Sequence, residues 1–272
     1  KLVTGVQTCA LPISAQANAG VGIGLAIAKA LADEGVDVAI ANRGEYPEAV
    51  LELTSRGVQA VGIKADVSRE ADVVRMVEEA QEKLKGIDIY VNNAAAHWDE
   101  PALKVTSEGW HNTVATNLSA CVFGCREVGR HFINQHRGNI LIVGSTATYT
   151  VYPGEISYRV TKTALIPYME GLAAELAPHG ARVNMITPGL FMTRMTAGLN
   201  FEEESLKKKV LSEIPLRRAG DASAELAPAA VLLVSDKLSG YTTGANLLVD
   251  GGVRLRVLPW RSDDELSSMN QV

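Results

Sequence analysis

Tyr158 and Lys162 stand four residues apart in a stretch, 157–176, whose apolar spacing predicts a helix. Both side chains then lie on one face, with an ammonium beside a phenol. A phenol of ordinary pKa, about 10, is a poor base at neutral pH, but an adjacent cation favours the phenolate and brings it toward the working range. The same spacing arises by chance on exposed helices, so its meaning depends on the company it keeps. A second candidate is Gly20-Val21-Gly22-Ile23-Gly24, which opens a helix. Small residues there let backbone N–H groups and the positive helix end approach a pyrophosphate, although such a start also serves helix packing. A third is Asn42-Arg43, at the end of the next strand. An acidic residue at that place would hold the adenosine ribose of NAD, whereas a cation suits the 2′-phosphate of NADP. Arg43 therefore favours NADP over NAD, the bland alternative being a solvated loop arginine.

These groups need elements to hold them. An Ala-rich amphipathic helix at 25–34 is followed by an apolar strand at 36–41, and Gly35 separates the two. Helix 48–56, strand 60–65, helix 70–84, strand 87–91, a long helix through Asn117 to 135, strand 139–143, helix 157–176 and strand 182–186 continue the alternation. Alternation of this kind forces parallel strands joined by right-handed crossovers, with helices on both faces. The expected fold is a single-domain α/β doubly wound parallel sheet of the Rossmann type. Residues 188–216 form the longest irregular region and have the character of a lid. Glu202–Glu204 and Lys207–Lys209 fall at i,i+4 and read as a solvated helix face rather than a catalytic pair. The polar stretch 254–272 reads as a tail draped over the domain or a neighbouring subunit.

Composition narrows the functions. At 272 residues with 47% apolar content the chain can bury one large core, and its net charge of −5 offers no footprint for nucleic acid. No apolar run reaches the roughly 18 residues that a membrane helix needs. Of the three cysteines, Cys121 and Cys125 share a predicted helix face and read as packed apolar groups, with no metal site implied. Sparse cysteines suit a reducing cytoplasm. Residues 3–13, VTGVQTCALPI, resemble the translation of a sequencing-adapter oligonucleotide, so residues 1–14 are set aside as non-native and Thr4-Gly5 is not read as a nucleotide-binding turn. Residues 11–16 would then stand in for the first strand. Ala15-Gln16-Ala17 mimics a signal-peptide cleavage site, but polar Thr4, Gln7 and Thr8 interrupt any apolar segment before it.

Several further motifs agree in order and spacing. Asn92-Asn93-Ala94-Ala95 follows a strand, Asn117 sits in Ala115-Thr116-Asn117-Leu118, and Ser145 ends a strand thirteen residues before Tyr158. Arg182-Val183-Asn184 precedes Pro188-Gly189 and Thr193, and Asp250-Gly251-Gly252 closes the series. From about residue 17 to 253 the chain resembles the short-chain dehydrogenase/reductase family, and Ile214-Pro215-Leu216-Arg217-Arg218 with Ser235-Asp236 and Thr243-Gly244 resembles its ketoacyl-reductase-like branch. The resemblance implies an NAD(P)-dependent oxidoreductase interconverting a carbonyl and a secondary alcohol. Tyr158 would exchange the proton, Lys162 lower its pKa and hold the nicotinamide ribose, Ser145 bond the reacting oxygen, and Asn117 support a proton relay. Cofactor contacts would come from Asn18, Gly20, Val21, Gly22 and Ile23 at the turn, Arg43, Asp66 and Val67 near the adenosine, and Asn93. Pro188, Gly189, Phe191 and Thr193 would contact the carboxamide. His97, Trp98, Tyr149, Tyr152 and the region 191–201 are the candidates to line or cover the substrate pocket, His97 and Trp98 being equally readable as loop residues packed on the surface, and the resemblance implies a homo-oligomer, dimer or tetramer. Ala17 and Asn18 replace the Thr and first Gly of the family's turn. Asn tolerates positive φ, but its side chain crowds the pyrophosphate approach. Those replacements motivate a second reading, a catalytically silent nucleotide-binding protein, which the intact Tyr158 and Lys162 oppose.

Overall fold

The computed structural model describes residues 8–12, 22–193 and 204–255. Seven parallel strands form one sheet: β1 (Thr8–Pro12), β2 (Asp37–Asn42), β3 (Ala60–Lys64), β4 (Ile89–Asn92), β5 (Gly138–Val143), β6 (Ala181–Pro188) and β7 (Asn246–Val249). Their order is β3-β2-β1-β4-β5-β6-β7, so the direction of winding reverses between β1 and β4. Ligands of open parallel sheets bind at the carboxyl ends of the strands beside such a reversal. Helices α1 (Ile23–Asp33), α2 (Pro47–Thr54), α3 (Glu70–Leu84), α4 (Ser107–Val114), α5 (Ala120–Gln135) and α6 (Ile156–Leu176) make the crossovers, followed by α7 (Glu204–Ser212) and α8 (Ala227–Val234).

The central strand is β1, whose backbone pairs Cys9 with Val38 and with Ile89. It begins three residues before the stretch 11–16 expected to fill that place, and Pro12, lacking an N–H, closes it.

Successive strand residues feed two cores, as the twofold period of a pleated strand requires. Val38, Ile40, Leu141 and Val143 face one side and pack with Ile27, Leu31, Leu226 and Val231 of the α1 and α8 layer. Ala39, Ala41, Ile140 and Ile142 face the other, with Val73, Met76, Phe132, Leu165 and Met169 of α3, α5 and α6. Cys121 and Cys125 belong to this second core as free, buried thiols whose sulfurs are 3.9 Å apart. Among the described residues no helix is long and apolar enough to cross a membrane.

One turn shows how tightly the layers close. Gly180, between α6 and β6, has φ +77°, and a Cβ there would run into the His136 carbonyl oxygen. Gly180→Ala is expected to destabilise the fold by roughly 1–3 kcal/mol, from strain and overlap together. An unchanged urea midpoint would contradict this packing.

Candidate active site

Chemistry-bearing side chains gather past the carboxyl ends of β4, β5 and β6. β5 ends at Val143, and Ser145 two residues later caps a short 3-10 turn, its hydroxyl accepting from Ala147 N at 3.2 Å. Tyr158 lies in the first turn of α6 and is 9% exposed; Lys162, one turn on, is 2% exposed. The Lys162 Nζ donates to the Val143 carbonyl at 2.9 Å and sits 5.9 Å from the centre of the Tyr158 ring. Burial pulls the ammonium down to about 8. Burial also pushes the Tyr158 phenol above its ordinary value, against a hydrogen bond from Ser145 that pulls it down, with the Glu155 carboxylate adding to the rise. The phenol in the folded chain is thus displaced upward, whereas the neighbouring cation alone predicted a fall. Removal from water outweighs an ammonium held on the Val143 carbonyl.

Asn117 is fully buried and lies in a π-helical turn, Ala115–Ser119, between α4 and α5. One long helix was expected here; the widened turn interrupts it, as such turns do near functional sites. The Asn117 side chain is spent on structure. Its Oδ1 accepts from Ala96 N at 2.6 Å, and Nδ2 donates to Ala96 O at 2.9 Å and to Thr161 Oγ1 at 3.2 Å. It fastens the loop after β4 to α6, and Thr161 in turn donates to the Tyr158 carbonyl at 2.8 Å. Any relay role therefore falls to the backbone of the π turn.

That loop carries His97, whose ring meets the Tyr158 ring edge-on at 5.2 Å and whose Nε2 is 3.1 Å from Glu155 Oε1. His97, Asp99 and Glu155 bring their polar atoms within 4.8 Å of one another, a grouping that the sequence, read as having no metal site, did not single out. Trp98 turns away and packs against Gly109 of α4. Tyr149 was expected in the pocket, but its hydroxyl accepts from Asn246 Nδ2 of β7 at 3.0 Å and its ring lies under the Arg254 guanidinium. Tyr152 is half exposed.

Past β6, Gly189 passes so close to Asp250 that a Cβ would lie 2.6 Å from its Cα. Phe191 is buried in the core against Gly220, which leaves only its backbone for a ligand, and Thr193 closes the described part of this loop. The remainder of the expected pocket region, 194–201, lies outside the described residues, as do Asn18, Gly20 and Val21. Gly22 precedes α1 in extended conformation and Ile23 packs on the core, so the described end of the glycine-rich turn leads into the helix as expected. Arg182 and Asn184 hold the turn before β7 through the Thr242 carbonyl, at 3.0 and 2.9 Å.

Past the carboxyl ends of β2 and β3, Arg43 is exposed and lines a cleft of about 420 Å³ with Lys64, Ala65, Asp66, Asp72 and Arg75. Asp66 N donates to Asp72 at 2.9 Å, which holds the Asp72 carboxyl below its usual range. Val67 packs against the core beneath, and Asn93 is half-buried just past β4. Arg75, Lys64 and Asp72 were not anticipated; Arg75 and Asp72 reach the cleft from α3, a juxtaposition with no signal in local spacing.

A family model described as enoyl-(acyl carrier protein) reductase matches residues 17–254. The 3-oxoacyl-(acyl-carrier-protein) reductase FabG of Chlamydia pneumoniae is 36% identical over 229 residues, covering 84% of this chain and 90% of that protein. The chain belongs to the short-chain dehydrogenase/reductase family, in its ketoacyl-reductase-like branch. A structure from Sinorhizobium meliloti described as a short-chain alcohol dehydrogenase superposes with a TM-score of 0.87 at 32% identity, covering 94% of this chain and 99% of that one. A gluconate 5-dehydrogenase from Burkholderia cenocepacia, in complex with NADP and tartrate, gives 0.84 at 27% identity, covering 94% and 98%. This short-chain dehydrogenase/reductase is an NAD(P)-dependent oxidoreductase, and the similarities lend nothing to a silent nucleotide-binding role.

Proposed function

We propose that the protein interconverts a carbonyl and a secondary alcohol, with NADP in preference to NAD and Tyr158 as the proton-exchanging group. The observation that carries this reading is the buried Tyr158 phenol, acted on by the Ser145 hydroxyl, with the Lys162 Nζ 5.9 Å from its ring centre. Two hydroxyls paired in this way can both point at one substrate oxygen: Ser145 orients it and Tyr158 gives or takes its proton. Lys162, with donors to spare beyond Val143, is placed to hold ribose hydroxyls and to stabilise a phenolate. The names of the C. pneumoniae and B. cenocepacia relatives, a 3-oxoacyl reductase and a gluconate 5-dehydrogenase, both denote such a carbonyl or alcohol.

The residues fit a nicotinamide dinucleotide. Among the described residues the buried Nδ2 of Asn42 has no partner, and it lies at the strand end where an adenosine would rest. Arg43 beside it offers a cation to a 2′-phosphate; Asp66, which lines the same cleft, and Val67 would flank the adenine, and Asn93 would line the cofactor site. The backbone of Pro188, Gly189, Phe191 and Thr193 would receive the carboxamide. When bound, the nicotinamide supplies or accepts the hydride. The family resemblance further supports a homo-oligomer, dimer or tetramer, and a cytoplasmic place, where free buried thiols stay reduced.

Titration with NADPH and NADH, followed by nicotinamide fluorescence, tests the cofactor assignment. NADPH is expected to bind more tightly, and Arg43→Ala to lose that preference by about 10- to 100-fold, the worth of one charged hydrogen-bonding partner. Equal binding of the two cofactors by the unaltered chain would remove Arg43 from the site.

A further inference from the structure

The Tyr158 side of the cleft holds an ion pair that the mechanism above does not use. His97 presents its ring edge-on to Tyr158 at 5.2 Å, and its Nε2 lies 3.1 Å from Glu155 Oε1. Glu155 stands three residues before Tyr158, immediately ahead of α6. The geometry is fixed from both sides. Asn117 grips Ala96, the neighbour of His97, through two hydrogen bonds. The Glu100 N–H donates to the Gly154 carbonyl at 2.9 Å, tying the loop of His97 to the segment of Glu155. Both side chains are three-quarters buried, whereas Asp99, the other carboxylate near His97, is 3.8 Å away and three-quarters exposed. The groups facing Tyr158 are therefore Ser145, Lys162, His97 and Glu155, and those facing His97 are Glu155, Asp99 and Tyr158.

We propose that His97, held by Glu155, is a positioning residue for Tyr158: its imidazolium offsets the Glu155 carboxylate, so that Tyr158 yields its proton most readily while His97 is charged. This rests on the carbonyl-reductase reading. Alone, the carboxylate disfavours a phenolate beside it, because like charges repel in a partly dry site. With His97 protonated the pair is neutral; with His97 neutral it carries one negative charge. The hydrogen bond to Glu155 raises the His97 pKa above its ordinary 6.5, so the charged form persists to a higher pH than a free imidazole allows. His97 neither gives nor receives the substrate's proton.

Two readouts test this together. The first is the NMR titration of the His97 ring, expected above 6.5 in the unaltered protein and lower in Glu155→Gln, where burial acts without the carboxylate. The second is kcat/KM against pH for NADPH-dependent reduction of whichever of ethyl acetoacetate, 2,3-butanedione and cyclohexanone is turned over fastest. Activity is expected to fall about three- to tenfold as pH rises through the His97 pKa. That limb should move down with the NMR value in Glu155→Gln, stay in Glu155→Asp, and vanish in His97→Gln. A limb that ignores Glu155→Gln while the ring pKa moves would make the pair merely structural and overturn the inference, leaving the reductase reading intact. Reduction of none of the three compounds would remove the carbonyl-reductase reading, and this inference with it.

Discussion

Tyr158→Phe is expected to lower the rate of carbonyl reduction by about 10²- to 10⁴-fold, the usual contribution of a positioned general acid, with cofactor affinity unchanged. The replacement keeps the ring, and with it the edge contact to His97 at 5.2 Å and the packing of a residue that is only 9% exposed. What it removes is the hydroxyl that would exchange the proton. Substrate can still dock, but no proton reaches the oxygen as hydride arrives at carbon, so the loss should appear in kcat more than in KM. Nicotinamide fluorescence measures cofactor binding separately from turnover. A variant that retains a third or more of the activity would show that Tyr158 is not the proton donor, whatever its neighbours. A variant that loses cofactor binding as well would place its hydroxyl in the binding site rather than in the proton step.

Much of this site was legible because parallel strands covered on both faces read as apolar runs that alternate with amphipathic helices. Helix 70–84 was read with the bounds the structure gives it, Tyr158 and Lys162 stand on the helix that the pattern placed, and Ser145 follows the strand read at 139–143. The illegible parts share a cause: they depend on contacts between segments distant in sequence. The π turn at Asn117 is invisible in periodicity, since one extra residue in a turn barely disturbs an apolar stripe. Glu155 carries no motif, and its meaning comes from a loop nearly sixty residues earlier that delivers His97 to it. Tyr149 and Phe191 looked like pocket residues because aromatics near a site can line it or brace it. The structure uses Tyr149 to hold β7 and Phe191 to fill the core. The first strand was read three residues late, at 11–16, because residues 1–14 had been set aside as non-native.

Lys162→Met is expected to abolish reduction while making the protein more heat-stable, a pairing that separates a functional cation from a structural one. Lys162 is 2% exposed and, among the described residues, has one hydrogen bond, to Val143, to set against the water it gave up. Its folded-state pKa of about 8 lies below the ordinary 10.5, so the folded chain holds that proton less tightly than the unfolded chain does. The sign follows from linkage. Below about pH 8 both states are protonated and the folded state bears the full penalty, which shrinks as pH rises from about 8 and is gone above about 10.5. At about 1.4 kcal/mol per pKa unit the penalty at neutral pH is on the order of 3 kcal/mol. Methionine fills a similar unbranched volume without charge, but leaves the Val143 carbonyl unpaired, which returns about 1–3 kcal/mol of the gain. A net gain near 1 kcal/mol corresponds to a melting temperature raised by about 2–4 °C at pH 7. Calorimetry at pH 7 and again near pH 10.5 decides the cause. A gain confined to the lower pH identifies the buried charge as the source, whereas an equal gain at both would assign it to packing alone. Retention of a buried cation that destabilises the fold is itself an argument that Lys162 is kept for what it does beside Tyr158.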